Sequence, residues 1–174
     1  MNEATIAGAG TSIEAGFDFE RLYRSSRDDV YAYTIGLLRD RSAAEDATAA
    51  AFERAYRKRS RFNPEKGTAR AWLFGIARNA ALDELRRRSR HTQLDGEPID
   101  PASVEEGESS ERRLVVAVGL TRLGTREREL ISLKFFAGLS NGEIAGVLGI
   151  SESNAGTKLH RAMIKLREAC DGAL

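Results

Sequence analysis

Residues Trp72–Arg90, WLFGIARNAALDELRRRSR, constrain this chain more than any other stretch. They contain no proline and one glycine, and are rich in Ala, Leu and Arg, residues that lose little on entering a helix. At about 100° per residue, Leu73, Ile76, Ala77, Ala80 and Ala81 fall on one broad apolar side. Gly75, Arg78, Asn79, Leu82, Asp83 and Arg86 fall in the remaining sector, roughly 140° wide. Arg86, Arg87, Arg88 and Arg90 follow where the apolar side gives out. A helix anchored by one side, with amide, carboxylate and guanidinium groups on the other, is equipped to lie against a polyanion. Guanidinium forks match phosphates and base edges, and an Asn amide matches adenine. A solvated face, with basic residues favoured at its C-terminal end by the macrodipole, accounts for the same pattern. This stretch alone leaves both readings open.

Charge distribution separates them better than the total does. The 174 residues carry a net charge of only +1. Phe17–Arg90 holds 17 bases against 11 acids, a balance of +6, and Arg112–Leu174 holds 10 against six, a balance of +4. His91–Glu111 has seven acids and no Lys or Arg, and Met1–Gly16 has two acids and no base. Two basic blocks joined by an acidic connector are concealed in a near-neutral sum. Cys170 is the single cysteine, so no intrachain disulfide is expected, and with only His91 and His160 besides there is no zinc-ligand spacing. Cys170 reads as a small apolar residue near a helix end. The N-terminus has neither a basic start nor a long apolar run, and no segment approaches the length of a bilayer span. No membrane insertion is expected, and the expected location is the cytoplasm.

The pattern elsewhere is helical throughout, predicting an all-α protein of two small domains joined by a flexible acidic linker. Met1–Gly16, rich in Gly, Ala and Thr, reads as a mobile tail, and its Gly8-Ala9-Gly10 lacks the strand and full glycine pattern of a nucleotide loop. From Phe17, Phe19, Leu22, Tyr23, Val30, Tyr33, Leu37 and Leu38 recur at helical spacing. Asp18 or Asp28 is placed to open a turn. Arg39-Asp40-Arg41 breaks the pattern, and Ser42 with Glu45 predicts a capping box for a helix over 43–59. That helix turns Ala47, Ala51, Phe52, Ala55 and Tyr56 toward a core. Arg61–Gly67 is a loop by its Asn-Pro and Gly, and Thr68 caps the helix described above. The first domain spans 17–90. Residues 91–111, with Gly96, Pro98, Pro101 and Gly107, form a linker that extends at most on the order of 70 Å.

A second domain, 112–174, begins with Leu114, Val115, Val118 and Leu120; Thr125 is expected to cap the next helix, which carries Leu130, Ile131, Leu133 and Phe135. Then comes the most specific local pattern in the chain. Ser140-Asn141-Gly142-Glu143 is a capping box opening a short helix, Gly149 turns the chain, Ile150 fills the core, and Ser151 caps a long last helix. Ala145, four residues before Gly149, keeps the crossing close. This is helix-turn-helix spacing. Ala155, Leu159, Ala162, Met163 and Leu166 line the buried side of the last helix. Ser153, Asn154, Gly156, Thr157, Lys158 and Arg161 lie on or near the other.

From Phe17 to Arg167 the chain resembles the extracytoplasmic-function sigma factors, the small two-domain class of bacterial transcription initiation factors. WLFGIARNAALDELRRR is similar to their promoter-opening helix, and the two domains look like sigma regions two and four. The resemblance implies binding without bond chemistry. Phe62, Asn63 and Lys66 belong to the loop, 62–68, that pockets a base flipped from the melted non-template strand. Arg78, Asn79, Asp83, Arg86 and Arg87 belong to the helix that reads and opens the minus-ten element. Ser151, Ser153, Asn154, Thr157, Lys158 and Arg161 belong to the helix entering the major groove of double-stranded DNA at the minus-thirty-five element. Glu45, Asp46 and Glu53 are the implied contacts to core RNA polymerase. The acidic linker resembles the segment that threads toward the polymerase active-site cleft, its carboxylates imitating nucleic acid. An anti-sigma protein is a further implied partner. Trp72 and Phe74 are expected to be buried rather than stacked on bases.

Two positions depart from the family pattern. The acidic pair Glu45-Asp46 is present, but the Gln-acidic pair that normally follows is replaced by Ala49-Ala50. Gly156 stands where the groove-reading helix usually has a basic residue, and weakens that helix by about 1 kcal/mol relative to Ala. Two functions remain open at this point, a promoter-recognising sigma factor and a helix-turn-helix regulator that works without polymerase. The second accounts for the C-terminal half but not for Trp72–Arg90 or the acidic linker. No nucleophile–base constellation, metal cluster or phosphate loop points to an enzyme or a cofactor.

Overall fold

The computed structural model describes residues 17–95 and 111–172; the N-terminal tail and the linker over 96–110 lie outside them. Among the described residues the protein is helical without strands. The first unit holds α1 (Phe19–Leu38), α2 (Arg41–Arg57) and α3 (Ala69–Asp95). Asp18 caps α1, its carboxylate accepting the Arg21 amide at 2.9 Å. α1 ends at Arg39, which takes the left-handed conformation at φ 55°. That reversal leaves Asp40 extended at φ −149°, so its carboxylate, and not the Ser42 hydroxyl, accepts the Ala43 amide at 2.7 Å and opens α2. Ser42 is therefore already inside the helix, and Glu45 pairs with Arg41 at 3.0 Å instead of closing a capping box.

α2 buries a stripe of alanines, Ala43, Ala44, Ala47, Ala51 and Ala55, with Phe52 beside them. Small side chains let α2 lie close to both α1 and α3. Tyr56, read from its spacing as a core residue, is 51% exposed, because the alanine stripe ends at Ala55 and α2 frays into a short turn, Arg59–Arg61. Thr68 opens α3, accepting the Ala71 amide at 3.2 Å. The apolar side expected of α3 is buried at all five positions, Leu73, Ile76, Ala77, Ala80 and Ala81. The helix runs five residues beyond Arg90, since neither Gly nor Pro interrupts it before Gly96.

The second unit holds α4 (Glu111–Thr121), α5 (Thr125–Ile131), a π-type turn (Ser132–Phe136), α6 (Asn141–Leu148) and α7 (Glu152–Asp171). Ser140 and Glu143 form the expected capping box, Gly149 turns at φ 67°, and Ser151 accepts the Asn154 amide at 3.2 Å. Thr125 is the first residue of α5 and not its cap; Gly124 occupies that place without a side-chain bond. The π-type turn inserts a residue into the helical period and swings Phe135 out of the apolar stripe. Phe135 is 58% exposed while Leu133 is fully buried.

The two units share one core. Tyr33, Leu37, Leu73 and Phe74 of the first join Leu133, Ala137, Leu139 and Ile144 of the second, and a smaller cluster of Leu123, Ile131, Ala162 and Leu166 holds α7 to its own unit. α1 meets the π-type turn closely enough that a Cβ at Gly36 would lie 3.0 Å from Ser132 Oγ, so only glycine fits there without displacement. Arg70 of α3 ties the junction, donating to Asp29 at 2.8 Å and from Nε to the Ala137 carbonyl at 2.9 Å. No described helix is long and apolar enough to cross a membrane.

Candidate nucleic-acid interface

The loop between α2 and α3 shapes one wall of a cleft of about 730 Å³ between α3 and α6. Asn63 steadies that loop, its side-chain oxygen accepting the Glu65 amide at 2.9 Å to start the turn Pro64–Lys66. Phe62 packs in a cluster of three rings, 4.9 Å from Phe17 and 5.6 Å from Trp72, with Phe17 and Trp72 edge to face at 5.5 Å. Trp72, expected to be buried, is half-buried and borders the cleft, while Phe74 is buried edge to face with Tyr33 at 5.7 Å. The cleft thus brings together Phe62, Asn63 and Lys66, implied for base capture, with Asn79 of the helix implied to read the minus-ten element. An aromatic wall with adjacent amide groups suits an unstacked base, which presents a π face and a polar edge. Across the cleft, Glu143 accepts the Thr68 hydroxyl at 2.6 Å and the Ser140 amide at 2.9 Å. Those two bonds, Thr68 first, hold its carboxyl below the usual range.

Beyond Asn79 the exposed side of α3 carries a network. Asp83 sits between Arg54 at 2.8 Å and Arg86 at 3.4 Å, and Arg87 forks onto Glu84 at 2.8 and 2.9 Å. Carboxylates hold these guanidinium groups in fixed directions while leaving them exposed, which preorganises them for phosphate. Arg78 is placed differently. Its Nε donates to Glu129 of α5 at 2.6 Å, and the Glu129 side chain is 7% exposed. The Tyr33 hydroxyl is buried nearby without a hydrogen-bond partner among the described residues, and burial, reinforced by Glu129, pushes its pKa far up.

On α7, Ser153, Asn154, Thr157, Lys158 and Arg161 are exposed, while Ala155, Ala162 and Leu166 are buried on the opposite side. Ser151 serves as the helix cap, and the Thr157 hydroxyl donates to the Ser153 carbonyl at 3.0 Å. A Cβ at Gly156 would meet only the Asn141 amide at 3.5 Å, an ordinary contact, so packing does not require glycine there. On α2, Glu45, Asp46, Ala49 and Glu53 are exposed, with Glu53 paired to Arg57 at 2.5 Å. Arg54 and Tyr56 lie at the end of α2 and Arg59 in the turn after it, and periodicity assigns them to a helix without saying what they meet.

Comparison with known proteins agrees across the chain. Residues 22–91 match the family description Sigma-70 region 2, and residues 116–166 match Sigma-70, region 4. The chain is similar to the ECF RNA polymerase sigma factor SigL of Mycobacterium tuberculosis, 31% identical over 169 residues that cover 94% of each. It is 34% identical over 153 residues to the ECF RNA polymerase sigma factor BldN of Streptomyces coelicolor, covering 83% of this chain and 57% of that one. Its structure resembles the sigma factor RpoE of Bartonella quintana, solved with the anti-sigma factor NepR, at a TM-score of 0.76 and 25% identity, covering 88% and 97% of the two chains.

Proposed function

The chain belongs to the extracytoplasmic-function sigma factors, and from that premise we propose how its residues divide the work. As an RNA polymerase sigma factor it binds core polymerase and promoter DNA and carries out no bond chemistry. A regulator acting without polymerase is not supported, because the region 2 match spans the helices such a regulator leaves unexplained.

In this reading, α3 and the loop 62–68 melt the promoter. A base leaving the duplex loses pairing and stacking and is compensated in the cleft by Phe62 and Trp72 rings and by the Asn63 and Asn79 amides. Arg86 and Arg87, with Lys66, hold the adjoining phosphates and set register. α7 reads the upstream element through Ser153, Asn154 and Thr157, with Lys158 and Arg161 on the backbone and Ser151 fixing the helix start. Arg78 takes part after it leaves Glu129. Glu45, Asp46 and Glu53 on α2 meet the polymerase, and the acidic linker runs toward its cleft. Partition into 17–90 and 112–174 follows the same division, with the cytoplasm as the place of work. An anti-sigma partner is proposed by likeness to the RpoE–NepR complex.

The observation that carries this reading is the convergence of Phe62, Asn63, Lys66 and Asn79 on one cleft beside an exposed arginine face. Run-off transcription with purified core polymerase and a promoter library tests it. Initiation should select a common pair of elements, and Asn63→Ala or Asn79→Ala should relax base preference at the downstream element alone. Unchanged preference in both variants would remove these residues from the base-reading role.

A further inference from the structure

Next to the base cleft lies a second aromatic surface that the division above leaves unused. Tyr56 is the last large apolar side chain of α2 and is 51% exposed. The Arg59 guanidinium lies over its ring, 4.1 Å from the centroid, and Arg59 Nη1 donates to the Tyr56 carbonyl at 2.8 Å, which fixes the stacked pair. Phe19 packs edge to face against the same ring at 5.2 Å. Phe17, two residues earlier, supports Phe62 and Trp72. The start of α1 therefore braces both aromatic surfaces at once, the cleft with one ring and the Tyr56–Arg59 pair with the other. Around them the chain is strongly basic. From Arg54 to Lys66 there are six bases and one acid, and Arg57, Lys58, Arg61 and Lys66 are all exposed.

We infer that Tyr56 and Arg59 form a second stacking position for single-stranded DNA, receiving a non-template base next to the one captured at Phe62 and Asn79. Single strands are held without sequence readout by a basic track with aromatic faces along it, since every base has a π face and every nucleotide a phosphate. An exposed tyrosine with a guanidinium already stacked on it offers both, and the arginine needs little ordering to bind. A site for duplex phosphate alone would need the charges but not the ring, and an apolar protein contact would be weakened by the exposed charges of Lys58, Arg61 and Lys66. The continuity of the basic run with the loop 62–68 puts the platform on the path of the strand that leaves the cleft.

This inference rests on the base-capture reading of the cleft, and the experiment separates the two. Holoenzyme assembled from the full chain and core polymerase is titrated with the promoter recovered by run-off selection, both fully paired and with a mismatched bubble. 2-Aminopurine is placed in turn at each non-template position of the bubble. Tyr56→Ala should weaken binding to the bubble about tenfold and abolish fluorescence quenching at a single position, while binding to core polymerase and to the paired promoter stays unchanged. Tyr56→Phe should behave as wild type. Wild-type bubble affinity and quenching in Tyr56→Ala would overturn the inference. So would an equal loss on paired DNA, which makes the patch a phosphate contact, or a loss of core binding, which makes it a polymerase contact. Asn79→Ala is the control. If it keeps full bubble binding while Tyr56→Ala loses it, the base-capture reading fails and the second platform stands.

Discussion

Arg78 of α3 donates to Glu129 of α5 at 2.6 Å, and this ion pair joins the two helical units with the carboxylate buried and the guanidinium half-buried. A carboxylate 7% exposed depends on its partner, because the charge has lost its water and has the guanidinium in exchange.

Arg78→Ala should therefore destabilise the folded chain by about 3–5 kcal/mol, the usual consequence of leaving one member of a buried pair alone. Glu129→Gln should cost less and should free Arg78. The measurement is thermal unfolding together with an intramolecular distance between labels on α2 and α7. Both variants should lengthen that distance, and the exchanged pair Arg78→Glu with Glu129→Arg should recover part of the loss. Unchanged distance and stability in Arg78→Ala would show that the pair does not hold the units together.

Polymerase binding is expected to rest on α2, with Asp46 as the main charge. Asp46→Arg should reduce capture of core polymerase by the tagged chain at least tenfold while leaving the helix content intact. Introducing Gln and Glu at the exposed Ala49 and half-buried Ala50 should raise capture above wild type. Full capture by Asp46→Arg would move the contact to another face.

Gly156 permits two opposite outcomes to be separated. Gly156→Ala should stabilise α7 by about 1 kcal/mol, since the added Cβ meets only the Asn141 amide and the helix gains propensity. Lys158→Ala and Arg161→Ala should each weaken binding to every promoter alike and lower the salt slope by about one. Asn154→Ala should reduce discrimination at one base pair by roughly 1–3 kcal/mol. An upstream footprint unchanged by the loss of Lys158 and Arg161 would mean that α7 does not read the promoter.

What the sequence disclosed follows from the range of the interactions involved. The Ser140–Glu143 box, the Gly149 turn and the Ser151 cap are local, so residue type and spacing fix them. The buried side of α3 was legible for the same reason. Asp40 displaced Ser42 as a cap because the reversal at Arg39, a non-glycine residue in the left-handed region, leaves no signature in residue type. Phe135 left the core through one inserted residue in a helical turn, which a fixed period does not anticipate. Arg78 with Glu129, Arg70 with Asp29 and the Ala137 carbonyl, and Thr68 with Glu143 join residues 41 to 75 positions apart, and charge pattern alone does not name such partners. The same holds for Tyr56. Helical spacing directs it inward, and only the fold reveals that the alanine stripe has ended by then.

Promoter opening is assigned to the side of α3 that carries Asn79 and Arg86, and permanganate reactivity of thymines in the open complex reads that face most directly. Holoenzyme containing the double variant Asn79→Ala, Arg86→Ala is compared with wild type on the selected promoter, with circular dichroism and core binding checked first. Both side chains are exposed, so the fold should be kept. Reactivity should fall to the level of duplex DNA while core binding is unaffected. Wild-type reactivity in the double variant would contradict that assignment.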